Sequence, residues 1–149
     1  MTTITAFILL AACVGGCFAI QASANGRFRI SLGSPLWAAF FSICGTFVTA
    51  VSAMLALRPS TPSVEALRAA PWWNWIGGPL GALIVLGGAV LVSELSAALF
   101  IALVVAGQLI SSLLLDHFAL LGLPEQPITL GRALGAALVV AGVVCMKSL

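Results

Sequence analysis

Charge is the scarcest feature of this sequence. Only 7% of its 149 residues are Asp, Glu, Lys or Arg, against about 25% in an ordinary soluble domain. Six basic and four acidic residues leave a net charge of +2, and no basic patch is present to attract nucleic acid. Because 62% of the residues are hydrophobic and the mean hydropathy is +1.22, the composition is typical of an integral membrane protein.

Groups that could bind metal or perform catalysis are equally sparse. The four cysteines lie in apolar runs, where a thiol behaves as a small hydrophobe; they are Cys13, Cys17, Cys44 and Cys145. No histidine or carboxylate lies near the close pair to complete a zinc site. The only histidine has no nucleophile placed beside it, and no phosphate-binding loop is present. The sequence therefore predicts no metal, no cofactor and no enzymatic activity.

The amino-terminal segment requires a separate interpretation because "ILLAAC" resembles a lipoprotein cleavage site and "ASAN" a small-residue processing site. A secretory signal normally begins with a positively charged region, yet no Lys or Arg precedes Arg27. We therefore expect the segment to be retained as a membrane span. The alternative is that the chain is a secreted lipoprotein. In that case the intact mass of the protein would be that of a shortened chain.

The hydrophobic runs predict an all-α protein with five transmembrane helices in a single domain, residues 1–149. A hydrocarbon core of about 30 Å requires about 20 apolar residues per crossing. The spans cover approximately residues 4–21, 35–57, 74–92, 95–115 and 128–144. Asn25-Gly26 indicates a turn after the first span, and Ser34-Pro35 indicates the start of the second helix. Ser93 is expected to cap the fourth helix, with Glu94 in the first turn of that helix.

Tryptophans and small residues suggest how these spans are anchored and packed. Trp72, Trp73 and Trp75 begin the third span, either as anchors at the lipid headgroups or as an aromatic substrate cage. The preceding polar connection, residues 58–71, has the pattern of a short surface helix. Small residues repeat at four-residue spacing in three spans, which predicts helix contact faces; the pairs are Ala12 and Gly16, Gly77 and Gly81, and Gly131 and Gly135.

The basic residues are divided evenly between the two sides of the membrane. Five crossings place Arg27, Arg29 and Lys147 on one side and Arg58, Arg68 and Arg132 on the other. Since the excess of Lys and Arg sets orientation, this balance predicts that copies insert both ways. Such copies can form an antiparallel homodimer of ten helices, equivalent to the inverted repeat of many transporters. The alternative is that a small bias still fixes one orientation.

Two polar stripes follow helical spacing within apolar spans. The fourth span carries Gln108, Ser111, Ser112 and Asp116, and the second carries Ser42, Thr46 and Thr49. An unpaired amide inside hydrocarbon is costly, so Gln108 either bonds a neighbouring helix or lines a solute pathway. The hydroxyl groups either line the same pathway or bond to their own helix.

Four ionisable groups near the span ends are candidates for gating or coupling. Asp116 is expected to pair with Arg132, which lies near the positive end of the fifth helix, as a structural clamp or as a gate. His117 either carries a proton or is merely solvated. Glu94 is either a helix cap or a coupling carboxylate.

The segments "PWWNWIGGPLGA", "GSPLWAAFFSICGT", "ALVVAGQLISSLLLDHFALLG" and "LGRALGAALVVAG" resemble the small bacterial membrane proteins of the YdcZ type, in the drug/metabolite transporter superfamily. The resemblance implies five helices, paired antiparallel chains and a transport role in the cytoplasmic membrane. It points to Trp72, Trp73, Trp75, Gln108, Asp116, His117 and Arg132. Where the family tends to have a Pro-basic-aliphatic-Gly turn, this chain has Ser93-Glu94-Leu95-Ser96.

Two functions follow from these patterns. The first is a secondary transporter for a small polar or amphipathic solute, which works by alternating access and has lipid and a second copy of the chain as partners. The second is a membrane subunit or scaffold without transport activity, in which the polar stripes only stabilise helix packing. The sequence does not identify the solute, the direction of transport or a coupling ion.

Overall fold

The computed structural model describes residues 3–148, which are almost entirely helical. The α-helices are α1 Thr3–Leu32, α2 Pro35–Leu57, α3 Val64–Ala69, α4 Gly77–Leu95, α5 Ala97–His117 and α6 Leu130–Ser148. Short 3-10 helices precede α4 at Trp72–Trp75 and follow α5 at Leu120–Gly122.

Within residues 3–148, five segments are long and apolar enough to cross a membrane, as predicted. They are Thr3–Leu32, Pro35–Leu57, Trp72–Leu95, Ala97–His117 and Leu130–Lys147. Helix α2 has the same bounds as the predicted second span, and the short helix expected in the polar connection is α3. The chain is therefore a multi-pass, all-α membrane protein.

Local backbone chemistry explains where α2 begins and ends. Ser34 accepts a hydrogen bond from the Trp37 backbone N–H at 3.4 Å, and Pro35 occupies the first helical position, where its missing N–H removes no helical bond. At the other end Arg58 adopts a left-handed conformation with φ 45°, and its N–H bonds to the Met54 carbonyl. The predicted helix start at Ser34-Pro35 is confirmed.

The turn expected at Asn25-Gly26 is wrong, because α1 continues as a helix to Leu32. Both residues are buried where α1 packs against its neighbours. An added Cβ on Gly26 would lie 3.2 Å from Val92 Cγ1 in α4, so the glycine permits close approach of two helices. Tertiary packing here overrides a local turn signal. The break comes instead at Gly33, which has φ +64°.

The predicted cap at Ser93 is also wrong. Residues Ser93 and Glu94 belong to the last turn of α4, and Ser96 caps α5 by accepting a hydrogen bond from the Leu99 N–H at 3.4 Å. Ser96 has φ 69° and ψ 151°, a conformation that is otherwise almost restricted to glycine. Glu94 consequently lies at the negative end of a helix dipole rather than at a positive one.

The chain divides into two compact units, Met1–Glu94 and Leu95–Leu149. In the first, α1 packs against α2 and α4 through small residues: Ala22, Ala38 and Ala89 are buried. Large apolar side chains such as Ile20 and Leu55 are exposed. This distribution suits a lipid environment, where helices associate by close packing and not by hydrophobic expulsion.

In the second unit α5 packs against α6. The connection between them contains three residues with positive φ, namely Ala119, Leu121 and Gly122. Only the last is a glycine, so the connection holds two non-glycine residues in a conformation that L-amino acids disfavour. Contacts on both sides of the connection, described below, hold it in place.

Among residues 3–148, no close helix contact is made at the glycines of the predicted small-residue faces. Gly16, Gly77, Gly131 and Gly135 are exposed, and an added Cβ at any of them would meet no atom within 4 Å. A close helix contact is found at Gly26 instead.

Candidate functional site

The clearest polar cluster lies in the second unit, where the end of α5 meets the start of α6. Arg132 Nη1 lies 3.7 Å from Asp116 Oδ2, and each side chain is 36% exposed. The ion pair predicted from the sequence is therefore present. It offsets the cost of placing the Arg132 cation in the first turn of α6, next to the positive end of the helix dipole.

Gln126, in the connection between these helices, joins the two charged residues. Its backbone N–H donates to the Asp116 carbonyl at 2.8 Å, while its own carbonyl and side-chain oxygen accept hydrogen bonds from the Arg132 guanidinium. These bonds use two of the five guanidinium N–H donors of Arg132. The Asp116 carboxylate is left in charge contact with Arg132 but still open to other donors.

His117 closes the same end of the unit. Its Nδ1 accepts a hydrogen bond from the Ile128 backbone N–H at 3.4 Å, and its ring packs edge-on against Phe118 with 4.7 Å between centroids. Together with Gln126, His117 fastens the connection to the ends of α5 and α6.

An open cleft of about 470 Å³ extends from this cluster between α5 and α6. Ser112, Asp116 and Arg132 form its polar end, and Leu109, Ala136 and Val139 are among the apolar residues of its walls. The volume lies within the range of small-molecule sites, about 300–1,000 Å³. The arrangement can hold an amphipathic solute with its polar part at the ion pair and its apolar part between the helices.

The structure divides the stripe predicted on the fourth span. Ser112 and Asp116 line the cleft, whereas Gln108 and Ser111 do not. Both of the latter are exposed, and among residues 3–148 neither side chain has a hydrogen-bond partner. The Ser112 hydroxyl bonds to the Leu109 carbonyl of its own helix at 2.9 Å.

The stripe of α2 is largely satisfied within its own helix. Thr46 donates to the Ser42 carbonyl at 3.1 Å, and Thr49 donates to the Gly45 carbonyl at 2.9 Å. The Ser42 hydroxyl instead accepts a hydrogen bond from Asn25 Nδ2 at 3.1 Å. Ser42 is therefore the member of the stripe that takes part in the α1–α2 contact. The two threonines bond to carbonyl groups of their own helix, as the alternative prediction has it.

Sequence reasoning missed the polar contacts of α1. Asn25 is only 7% exposed, but it was assigned to a turn. The sequence predicts that Arg29 marks a membrane surface after the first span, yet its guanidinium donates to the Val90 carbonyl, to Ser93 Oγ and to the Glu94 carboxylate at 2.7, 2.6 and 3.2 Å. Their positions at i and i+4 on an uninterrupted helix are the signal that would have placed both on one face.

Trp72, Trp73 and Trp75, three of the four tryptophans, lie at the amino-terminal end of the third span. Trp72 and Trp75 are mostly exposed, and the rings of Trp72 and Trp73 meet edge-on with 6.0 Å between centroids. This geometry is compatible with rings at a membrane interface. Elsewhere, within residues 3–148, no three His, Cys, Asp or Glu side chains come together in a way that could hold a metal ion.

Comparison with known proteins identifies one family. A family model named DMT_YdcZ, described as "Putative inner membrane exporter, YdcZ", matches residues 6–145. No curated protein and no solved structure matches the chain.

Proposed function

Because the chain belongs to the YdcZ family of inner membrane exporters, we propose that it is a secondary transporter for a small polar or amphipathic solute in the bacterial cytoplasmic membrane. The observation that carries this proposal is the cleft between α5 and α6, which joins apolar walls to an Asp116–Arg132 pair. Charged side chains inside or at the edge of a span are expensive and commonly mark solute pathways.

Within this proposal Asp116 and Arg132 are the gating or coupling pair. The 3.7 Å separation is longer than a charge-assisted hydrogen bond, about 2.7–2.9 Å. A solute donor can therefore reach the Asp116 carboxylate without first breaking a direct hydrogen bond to Arg132. Ser112 adds a neutral polar group to the same end of the cleft, and His117 holds the adjoining connection.

The transporting unit is proposed to be an antiparallel homodimer. One chain contributes five helices, and its basic residues give almost no preference for one orientation. Two oppositely oriented copies would supply the inverted repeat about which alternating access works in many transporters. Glu94, Trp72, Trp73 and Trp75 then lie near span ends, where they anchor the helices or border the pathway.

The experiment compares purified variants reconstituted into liposomes. Vesicles loaded with the pH dye pyranine are exposed to a panel of cationic, anionic and neutral amphipathic metabolites, and solute uptake is followed in parallel. Asp116→Asn should reduce flux at least tenfold because the cleft loses its carboxylate. Glu125→Gln is the matched control, since Glu125 is an exposed acid in the same connection but does not line the cleft.

A second function, a scaffold without transport activity, is favoured by one specific observation. Thr46, Thr49 and Ser112 all bond to carbonyl groups of their own helices and need no solute to satisfy them. Flux no greater than in protein-free liposomes for the whole panel, in the wild-type protein as well as in Asp116→Asn, would favour this alternative.

A further inference from the structure

Gln108 lies near the middle of a membrane span, and its side chain has no hydrogen-bond partner among residues 3–148. It is about 16 Å from the first residue of α5 and about 14 Å from the last, at 1.5 Å per residue. Its side chain is exposed, and no hydrogen bond joins it to another described residue. Because lipid offers no hydrogen bonds, another molecule must satisfy this amide.

The side chains around Gln108 form a seam suited to a second helix. On the face of α5 that carries Gln108, the positions at alternating spacings of three and four residues are those that would interlock with a second helix. We define the α5 seam as Ala97, Ile101, Val104, Gln108, Ser111 and Leu115. Apart from Gln108 and Ser111 its members are apolar, and all six are exposed or half-buried.

The α5 seam is separate from the surface that α5 uses to contact α6. The cleft-lining residues of α5 include Leu109, Leu113 and Asp116. Successive residues are rotated by about 100° around the axis of an α-helix. On this basis the cleft-lining side chains of α5 point roughly a third of a turn away from the side chains of the seam. A helix packed on the seam would therefore leave both the cleft and the Asp116–Arg132 pair in place.

The geometry points to a second copy of this chain as the molecule that covers the seam, and we propose that the two copies of α5 cross antiparallel at Gln108. A primary amide carries donors and an acceptor, so Gln108 and the partner's Gln108 can bond reciprocally and satisfy each other. A single polar residue in an apolar seam is also a device that fixes register. This inference rests on the antiparallel homodimer proposed above.

Two features favour antiparallel over parallel crossing. Antiparallel helices place the negative end of one dipole beside the positive end of the other. In addition, two antiparallel copies are related by a two-fold axis in the membrane plane, so a residue can contact its own copy only near the middle of the membrane. Gln108 lies near the middle of its span. The other seam positions would then contact different positions in the partner.

Cysteine cross-linking tests the crossing directly. In a background that lacks the four native cysteines, Gln108→Cys should form a disulfide-linked dimer. Mixing Ile101→Cys with Leu115→Cys should give the heterologous dimer, because each residue lies seven positions from Gln108 on the seam. Leu115→Cys alone should not cross-link: its two copies would be about 21 Å apart along the helix axes, far beyond the reach of a disulfide.

The matched control is Leu103→Cys, which is exposed but lies off the seam, and it should cross-link at background level. Equal cross-linking of Leu103→Cys would overturn the seam. A Leu115→Cys homodimer without the heterologous product would mean parallel pairing, which overturns both this inference and the antiparallel dimer. No cross-link at Gln108, while both orientations occur in the membrane, would overturn the crossing and leave the dimer standing.

Dimer affinity gives a second readout. Gln108→Leu removes no hydrogen bond among residues 3–148, so the variant should fold. Its dimer should dissociate about tenfold more readily when fluorescence energy transfer is followed in a dilution series in liposomes. Leu103→Ala should leave the affinity unchanged. Unchanged affinity of Gln108→Leu would contradict the reciprocal amide contact.

Discussion

Arg29 in α1 and Glu94 in the last turn of α4 form an ion pair, with 3.2 Å between Nη2 and Oε1. The arginine also donates to the Val90 carbonyl and to Ser93 Oγ, so it ties α1 to the carboxyl-terminal end of α4. Because that end carries a partial negative charge, a cation is favoured there and Glu94 alone would be disfavoured.

Removing Arg29 should destabilise the first unit more than removing Glu94. Arg29→Ala loses three bonds from a side chain that is only 28% exposed, at a cost of about 2–3 kcal/mol. Glu94→Gln should cost less than about 1 kcal/mol, because that carboxylate is 61% exposed and screened. Unfolding in mixed detergent micelles measures both. Arg27→Ala, an exposed arginine two positions away, is the control and should change little.

The Asn25–Ser42 bond should behave as a coupled pair. Ser42→Ala leaves a buried amide without its acceptor, which costs about 1–3 kcal/mol. Removing both partners with Asn25→Leu and Ser42→Ala should cost less than the sum of the single changes. Ser52→Ala, on an exposed position of the same helix, should be neutral. Strict additivity in the double-mutant cycle would contradict a direct bond in the folded protein.

Ser96→Gly should stabilise the protein by about 1 kcal/mol. The φ of 69° with ψ of 151° is strained for serine and free of strain for glycine, while glycine replaces a serine cap at a cost of only a few tenths of a kcal/mol. Ser96→Ala keeps the strain, loses the cap and should destabilise. Thermal unfolding of the two variants in detergent should therefore move in opposite directions; a shared direction would argue against strain at this residue.

Several parts of this fold follow from the sequence because they depend on local or compositional rules. The five spans follow from apolar run length, and the start of α2 follows from Ser34-Pro35. The Asp116–Arg132 pair was predictable because both charges flank one short connection and a helix dipole demands compensation near Arg132.

Other features were not predictable, because they depend on contacts between distant residues. Asn25-Gly26 carries a turn signal, and only the approach of Val92 explains why α1 remains helical there. The Arg29–Glu94 pair joins positions 65 residues apart, and the role of Gln126 arises from the path of a connection with three positive-φ residues.

The even charge balance also predicts how orientation responds to single substitutions. Arg27 and Arg68 are exposed and lie on opposite predicted sides. Arg68→Gln and Arg27→Gln should therefore shift the population of inserted chains in opposite directions by similar amounts. Orientation is measured as the ratio of two carboxyl-terminal reporters, one active outside and one active inside the cytoplasm. Shifts in the same direction would show that these residues lie on one side.

The same reporters on the unmodified chain, fused to each terminus in turn and expressed at native level, test the central claim most directly. If two oppositely inserted copies form the working unit, both reporters should be active at both ends, in comparable amounts. Activity of only one reporter at each terminus would mean that every chain inserts the same way, and the antiparallel pair would be contradicted.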